Sequence, residues 1–158
     1  MRIGQGFDVH AFGEGDFLTL GGIQVPHAKG FIAHSDGDVL IHAICDALLG
    51  ALALGDIGIH FPPSDEQWKD CDSGVFLKHC HQLIQAEGYK IGNIDCTLMA
   101  EQPKIKPHTL SIRENLTQLL NIEIQQVSLK ATTTERLGFT GREEGMAAMV
   151  VCLLNREA

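Results

Sequence analysis

The sequence has few aromatic and few basic residues, and it lacks the common cysteine motifs. Only 6% of its 158 residues are aromatic, and 12 lysines and arginines face 20 aspartates and glutamates, which gives a formal net charge of −8. This acidic balance argues against nonspecific binding to nucleic acid. The five cysteines include no Cys-x-x-Cys pair, a pattern typical of reduced thiols. We therefore expect a cytoplasmic location.

Membrane-spanning and secretory segments are also missing. The first residues form no basic and apolar leader. The longest apolar run, residues 39–54, contains His42 and Asp46, so it is a poor membrane span. We expect no membrane partner and a single domain over residues 1–158, in which 44% hydrophobic residues suffice for a core.

Titratable side chains are concentrated around one apolar helix pattern in residues 34–61. His42 and Asp46 are four residues apart and would share a helix face. Asp36 and Asp38 precede the apolar run, where a helix N-terminus favours negative charge. A fold does not need so many titratable groups around one buried helix. Their density indicates a metal or catalytic site.

The order of predicted elements indicates an α/β (α+β) two-layer sandwich, in which a mixed four-stranded sheet carries helices on one face. The main strands are expected at residues 2–12, 91–100, 127–131 and 146–154. The main helices are expected at residues 38–54, after a cap at Asp72 or Ser73, and around Ile112 and Leu116. Residues 18–25 should form two short strands, and residues 26–37 a mobile loop. The last strand is almost wholly apolar and therefore central. The open sheet face would need cover, which an oligomer partner could supply.

Asp8, His10 and His42 are the sharpest candidate metal ligands. Asp8 and His10 point to one face of the first strand, while Phe7 and Val9 point to the other. Two neutral imidazoles and one carboxylate suit Zn²⁺ or a similar divalent ion, and three ligands leave a fourth position open for substrate. The alternative is a hydrogen-bonded cluster in the core.

Three further groups suit a substrate or a metal, each with a plain alternative. Asp46 is either a partner of a ligating histidine or a capped internal carboxylate. His34 and Ser35 could contact a phosphate or hydroxyl, or belong to an ordinary surface loop. In residues 130–135, threonine hydroxyls and backbone amides suit phosphate oxygens, and Glu135 suits Mg²⁺. The alternative there is an ordinary polar loop.

Several motifs follow one another in a set order along almost the whole chain. They are Gly4-x-Gly6-x-Asp8-x-His10, Ser35-Asp36-Gly37-Asp38-Val39, Gly55-Asp56-Ile57-Gly58-x-His60-Phe61-Pro62, Ala100-Glu101-x-Pro103-Lys104, Lys130-Ala131-Thr132-Thr133-x-Glu135 and Gly138-Phe139-x-Gly141-Arg142-x-Glu144-Gly145. Together they resemble the family of 2-C-methyl-D-erythritol 2,4-cyclodiphosphate synthases. The resemblance implies a lyase of the non-mevalonate isoprenoid pathway. Its substrate would be 4-diphosphocytidyl-2-C-methyl-D-erythritol 2-phosphate, cyclised with release of CMP.

The resemblance also implies roles for individual residues. Zn²⁺ would be bound by Asp8, His10 and His42, and Mg²⁺ or Mn²⁺ by Glu135 together with substrate phosphates. His34 and Thr133 would be catalytic. The implied substrate-binding residues are Asp8, His10, His34, Ser35, Asp56, Ile57, Gly58, Phe61, Pro62, Pro63, Ser64, Asp65, Ala100, Glu101, Gln102, Pro103, Lys104, Ile105, Lys106, Thr132, Thr133, Thr134, Glu135, Phe139 and Arg142. The chain departs from the family pattern at Pro63, where a relative has an acidic residue.

Members of this family are homotrimers with sites between subunits, and the resemblance implies the same here. Two divalent cations would offset the repulsion between an acidic protein and a phosphorylated substrate. Two other functions remain open from the residues alone. One is a zinc-dependent phosphohydrolase with the same three ligands. The other is a non-enzymatic, zinc-stabilised assembly module, which would have a closed four-ligand site.

Overall fold

The computed structural model describes residues 1–62, 64–68 and 71–157. Strands in these residues are β1 (Arg2–Gly13), β2 (Phe17–Leu20), β3 (Ile23–Pro26), β4 (Gly30–Ile32), β5 (Tyr89–Met99), β6 (Val127–Thr132) and β7 (Gly145–Arg156). Helices are α1 (Val39–Ala51), α2 (Ile57–His60), α3 (Ser73–Ala86), α4 (Thr109–Leu120) and α5 (Gly138–Gly141). No helix in this part of the chain combines the length and the apolar character that crossing a bilayer requires.

The main sheet has the strand order β4-β1-β7-β5-β6, with helices on one side. Strands β5 and β6 are parallel and the other neighbours are antiparallel. The two-layer fold, the mixed sheet and the central position of the last strand are therefore confirmed. Strands β2 and β3 pair as a separate two-stranded sheet, as expected for residues 18–25.

The strand count needs a correction, because the sheet has five strands and not four. The extra strand is β4, which lies inside the stretch expected to be a mobile loop. It has three residues and pairs with the end of β1 at Ala11, Phe12 and Gly13. A strand this short shows no alternating pattern in the sequence, so its pairing depends on the edge that β1 offers.

Helix α1 packs against β1 across two glycines. A Cβ at Gly4 would lie 1.8 Å from the carbonyl oxygen of Ala47, and a Cβ at Gly6 would lie 1.9 Å from that of Ala43. Side chains at these positions would force the strand away from the helix. The close approach brings Asp8, the next residue on the same face of β1, beside α1.

The buried side chain of Asp38 is the N-cap of α1 and begins the helix. Its carboxylate accepts the backbone N–H groups of Ile41 at 3.0 Å, Gly21 at 3.0 Å and Gly22 at 2.7 Å. Burial raises the pKa of Asp38 to about 6, although these N–H groups act in the opposite direction. The same carboxylate therefore caps the helix and holds the β2–β3 turn against it.

The sheet face turned away from α1 exposes large apolar side chains. On β1, Ile3 is 70% exposed and Phe7 is 49% exposed, and on β7 the exposed residues are Met149 and Val151. Because β1 and β7 are paired neighbours, with Phe7 opposite Met149, these side chains form one continuous apolar patch. The open face expected from the sequence is present on this chain.

Candidate active site

Three side chains converge where β1 lies against α1. The Nε2 atom of His10 is 3.0 Å from Nδ1 of His42, and both nitrogens are close to Oδ2 of Asp8, at 3.1 and 3.2 Å. Ligands of a tetrahedral Zn²⁺ with bonds of about 2.0–2.1 Å are roughly 3.3 Å apart. The three donor atoms therefore have the spacing of zinc ligands. In the described part of the chain no other histidine, cysteine or acidic cluster of this kind occurs.

Hydrogen bonds do not satisfy all three contacts of this triangle at once. Its three contacts would need three protons, but two imidazole nitrogens and an ionised carboxylate carry at most two. With both nitrogens protonated, His10 and His42 would direct N–H groups at each other across 3.0 Å. A cation bound by all three atoms removes the conflict, so the donor set fits a divalent metal.

The electrostatics of Asp8 favour its charged form. Burial alone would raise the pKa of Asp8, but contacts with the rings of His10 and His42 outweigh it and hold the pKa well below its usual value. Asp8 is therefore ionised at neutral pH and supplies the negative charge that a divalent cation needs.

A cavity of about 160 Å³ opens beside the triad. It is lined by His10, His34, Ser35, His42, Ile57, Gly58, Phe61, Trp68 and Phe76. Seven of these nine residues were expected in the site. His42 was expected as a metal ligand only, and the other six were expected to bind substrate: His10, His34, Ser35, Ile57, Gly58 and Phe61. Trp68 and Phe76 were not expected.

Trp68 and Phe76 form an aromatic wall with Phe61. The Phe61 ring centroid lies 4.5 Å from that of Phe76 and 5.1 Å from that of Trp68. Phe76 is a buried residue of α3, the helix expected after Asp72 or Ser73, and it also lines the cavity. The only tryptophan, in a loop after two prolines, was the available signal for Trp68.

Asp46 is a capped carboxylate, which settles the alternative left open by the sequence. Its Oδ1 atom accepts the backbone N–H of Ile57 at 2.8 Å, at the start of α2. Burial, with the nearby charges of Asp56 and Asp8, raises the pKa of Asp46. Asp56 caps the same turn by accepting from the backbone N–H of Ile59 at 3.0 Å. Asp46 therefore positions the segment that brings Ile57 and Gly58 to the cavity.

A second cavity, of about 170 Å³, lies at the ends of β5 and β6. Its lining residues are Leu98, Ala100, Glu101, Pro103, Lys104, Ile105, Lys106, Ala131, Thr132 and Thr133. Glu101 holds the two loops together, because its Oε1 atom accepts the backbone N–H groups of Thr134 at 3.0 Å and Arg136 at 3.1 Å. Two loops whose residues are expected to bind substrate, 100–106 and 132–135, thus form one pocket. Gln102 is the expected residue of this loop that is not among the lining residues.

Glu135 is exposed at the end of the second cavity. Its φ of +54° is in the left-handed region, which non-glycine residues seldom adopt. The hydroxyl of Thr133 contacts the Glu135 carboxylate at 3.5 Å. This carboxylate belongs to no cluster of metal-type ligands in the described residues, so a cation here would need ligands from the substrate.

The remaining expected residues that the structure describes are not among those lining either cavity. Arg142 pairs with Glu144 at 2.9 Å on the surface, and Phe139 is 38% exposed. Pro62 and Asp65 form a turn through the Asp65 N–H and the Pro62 carbonyl, with Ser64 exposed between them. Pro63 lies outside the described residues. Roles for this group in substrate binding stay predictions.

An α/β fold with three clustered side chains that could hold a metal ion, beside a cavity, is typical of a metal-dependent enzyme. Residues 1–155 match the model of the YgbB family, and the chain belongs to that family. A protein of Xanthomonas oryzae pv. oryzae (strain PXO99A), named 2-C-methyl-D-erythritol 2,4-cyclodiphosphate synthase, is 60% identical over 157 residues. The match covers 99% of this chain and 96% of that protein.

Solved structures support the same assignment. The structure of IspF from Plasmodium falciparum in complex with CDP has a TM-score of 0.88 and 36% identity, covering 99% of this chain and 97% of that one. The bifunctional IspDF from Campylobacter jejuni has a TM-score of 0.95 and 42% identity, covering 98% of this chain. The present chain spans 42% of that bifunctional protein.

Proposed function

We propose that this chain converts 4-diphosphocytidyl-2-C-methyl-D-erythritol 2-phosphate into 2-C-methyl-D-erythritol 2,4-cyclodiphosphate and CMP, in the non-mevalonate isoprenoid pathway. The observation that carries the proposal is the convergence of Asp8, His10 and His42 beside a cavity, in a chain 60% identical to a named synthase. In the reaction, a 2-phosphate oxygen attacks the β-phosphorus, and the bond from that phosphorus to CMP breaks.

Asp8, His10 and His42 would hold Zn²⁺, and Glu135 would help to hold Mg²⁺ or Mn²⁺. When bound, these cations supply charge neutralisation and Lewis-acid activation to the phosphoryl groups. Asp8 contributes the only negative charge among the three zinc ligands. Three ligands leave one position free for a phosphate oxygen, whereas a purely structural zinc site closes with four.

The chain's own residues provide orientation. Nucleophile and electrophile belong to one substrate, so holding them in line can supply up to about 7–11 kcal/mol of the barrier reduction. His34, Ser35 and the Ile57–Gly58 segment line the cavity beside the ligands, where they would hold the methylerythritol and its 2-phosphate. Asp46 keeps that segment in place through the Ile57 N–H. The aromatic wall of Phe61, Trp68 and Phe76 limits access of water.

The second cavity would bind the cytidine diphosphate half of the substrate. Lys104 and Lys106 can neutralise diphosphate charge, and the hydroxyls of Thr132 and Thr133 can donate to phosphate oxygens. The CDP complex of the Plasmodium falciparum relative supports a nucleotide ligand. Thr133 would act at the transferring phosphoryl group, opposite His34.

One subunit does not bring the two cavities together. Asp8 pairs with Ala148 of β7, and Ala148 pairs with Leu98 of β5. Leu98 pairs with Ala131 of β6. Three strand spacings, about 14 Å, therefore separate Asp8, at the first cavity, from Ala131, at the second. Each cavity, at about 160 and 170 Å³, is also smaller than the roughly 300–1,000 Å³ typical of a ligand site.

A homotrimer with sites between subunits would resolve both points. The metal residues of one subunit would face the nucleotide loops, residues 100–106 and 132–135, of its neighbour. A heterologous ring permits this arrangement. The exposed apolar patch of Ile3, Phe7, Met149 and Val151 supports such an assembly, because it would be covered at the trimer centre. A cytoplasmic location is supported by the cysteines, all five of which are free thiols.

The deciding experiment is product analysis with the purified protein, Zn²⁺ and Mg²⁺. Phosphorus NMR should show a cyclic diphosphate and CMP in equal amounts from the diphosphocytidyl substrate. Release of inorganic phosphate would instead indicate the phosphohydrolase. Absence of turnover, with no change in melting temperature on adding CDP, would indicate the non-enzymatic assembly module.

A further inference from the structure

The second ring nitrogen of His42 points away from the metal triangle into a buried network. Its Nε2 atom lies 2.9 Å from the hydroxyl of Ser73 and 3.3 Å from that of Ser35. Ser73 is fully buried at the first position of α3, whose N-cap, Asp72, accepts the Gly74 N–H at 2.7 Å. Ser73 lines neither cavity and belongs to none of the family motifs.

The direction of the Ser73 hydrogen bond follows from its other partner, Asp36. Three donors reach the Asp36 carboxylate: the Ser73 hydroxyl, the Ser73 backbone N–H at 2.9 Å and the Asp38 backbone N–H at 3.1 Å. An ionised carboxylate only accepts, so the Ser73 hydroxyl proton is committed to Asp36. The Ser73 oxygen then presents a lone pair to His42, and His42 Nε2 must carry the proton.

This assignment determines what His42 offers to the metal. A neutral imidazole has one proton, so protonation at Nε2 leaves Nδ1 with a lone pair. That lone pair lies 3.0 Å from Nε2 of His10 and 3.2 Å from Oδ2 of Asp8, the other two atoms of the triangle. Nδ1 of His42 can then join these two atoms in binding one cation.

We propose that Asp36 and Ser73 are positioning residues that hold His42 in the tautomer with Nε2 protonated and Nδ1 free for zinc. The proposal rests on the metal site described under the proposed function. It also gives different roles to Ser35 and Ser73, whose hydroxyls both lie near Nε2 of His42. Ser35 accepts the Gly37 N–H at 3.3 Å and lines the cavity, so its hydroxyl is left to the substrate, while Ser73 serves the metal ligand.

The first test is zinc affinity, measured by competition with a chromophoric chelator on the purified protein. Loss of such a partner to a ligating histidine typically weakens metal binding about 10–100-fold. We expect that loss for Ser73→Ala, which removes the hydroxyl beside His42. We also expect it for Asp36→Asn, because the amide nitrogen of asparagine cannot accept the Ser73 backbone N–H. The matched control is Ser111→Ala, another serine in the first turn of a helix, whose hydroxyl donates to the His108 carbonyl. Its zinc affinity should equal that of the unchanged protein.

Each outcome of this test has a distinct meaning. Unchanged zinc affinity in folded Ser73→Ala and Asp36→Asn would overturn the positioning role. A weakening for Ser35→Ala equal to that for Ser73→Ala would also overturn it, because the assignment separates the two hydroxyls. If the unchanged protein binds no zinc at all, the metal site itself is wrong, which is a different failure.

The second test needs no substitution in the network. Nitrogen-15 NMR of histidine-labelled protein distinguishes protonated, unprotonated and metal-bound ring nitrogens, and the His42 signals are identified by their loss in His42→Ala. The expected signature in the zinc form is a protonated Nε2 and a metal-bound Nδ1. The reverse pattern would overturn the proposal. In metal-free Ser73→Ala, we expect a mixture of tautomers.

Discussion

The metal triad and the nucleotide loops are built in different ways. The triad places side chains from one strand and one helix within 3.0–3.2 Å of one another, in a partly buried position fixed by the close packing of β1 on α1. In the loops, the half-buried Thr133 and the exposed Glu135 are held through the backbone N–H groups of their neighbours Thr134 and Arg136, which donate to Glu101. The first region brings all three of its side chains together in one chain, whereas a cation at Glu135 in the second would need ligands from the substrate.

The largest effect is expected from the triad itself. His42→Ala should lose zinc and nearly all activity while the protein stays folded, because Asp8 and His10 alone form an incomplete site. Metal analysis of the purified variant tests this. His108→Ala, a histidine outside both cavities, is the control and should keep its zinc. A full zinc content in His42→Ala would show that the ligand assignment is wrong.

Mixed trimers test whether the two regions belong to different subunits. His42→Ala and Thr133→Val should each be inactive alone. After joint unfolding and refolding in equal amounts, a shared site works when its metal subunit carries the Thr133 change and its neighbour carries the His42 change. Random assembly makes this about one quarter of sites. If mixed trimers form and activity stays at the level of the separate variants, both residue sets act within one subunit.

A smaller effect is expected at the exposed carboxylate of the loops. Glu135→Gln should raise the Mg²⁺ concentration needed for turnover and leave the zinc content unchanged, because a lone carboxylate that shares the ion with substrate phosphates suits Mg²⁺. The measurement is an activity titration with Mg²⁺ at fixed zinc. Superimposable curves for the variant and the unchanged protein would remove Glu135 from the metal site.

The smallest effect is expected at Asp46, which holds the Ile57–Gly58 segment of the first cavity in place. Asp46→Ala removes the acceptor of the Ile57 N–H, and loss of a capping acceptor costs about 0.5–2 kcal/mol. We expect a modest fall in the free energy of unfolding and a higher KM, with zinc content unchanged. Chemical denaturation and steady-state kinetics measure the two. A loss of zinc would mean that Asp46 acts on the ligands instead.

The sequence predicts the triad better than the loops, and the reason is physical. Residues two apart on a strand and a buried histidine on an apolar helix converge whenever the helix packs on that strand. The loops show no such periodicity, so the chemistry of residues 130–135 left an ordinary polar loop open, and the family resemblance was needed to indicate a site. Their joining through Glu101 depends on backbone amides of Thr134 and Arg136, which no side-chain pattern reveals.

Two other features could not be read from the chain. Strand β4 is too short to show alternation and exists because β1 offers it an edge. The contact between Ser73 and His42 joins residues 31 positions apart, and Ser73 alone is indistinguishable from an ordinary residue at the start of a helix. Periodicity predicts which face a residue occupies, but it does not predict which neighbour it meets across two elements.

The missing side chain at Gly6 also bears on how the site can hold an ion. Gly6 lies two residues before Asp8, and the carbonyl it would strike belongs to Ala43, next to His42. A methyl group at Gly6 would therefore separate the strand that supplies two ligands from the helix that supplies the third. The distance between β1 and α1 therefore sets the spacing between the donor atoms of Asp8 and His10 and that of His42. Widening it would move these atoms beyond the roughly 3.3 Å that separates the ligands of one Zn²⁺ ion.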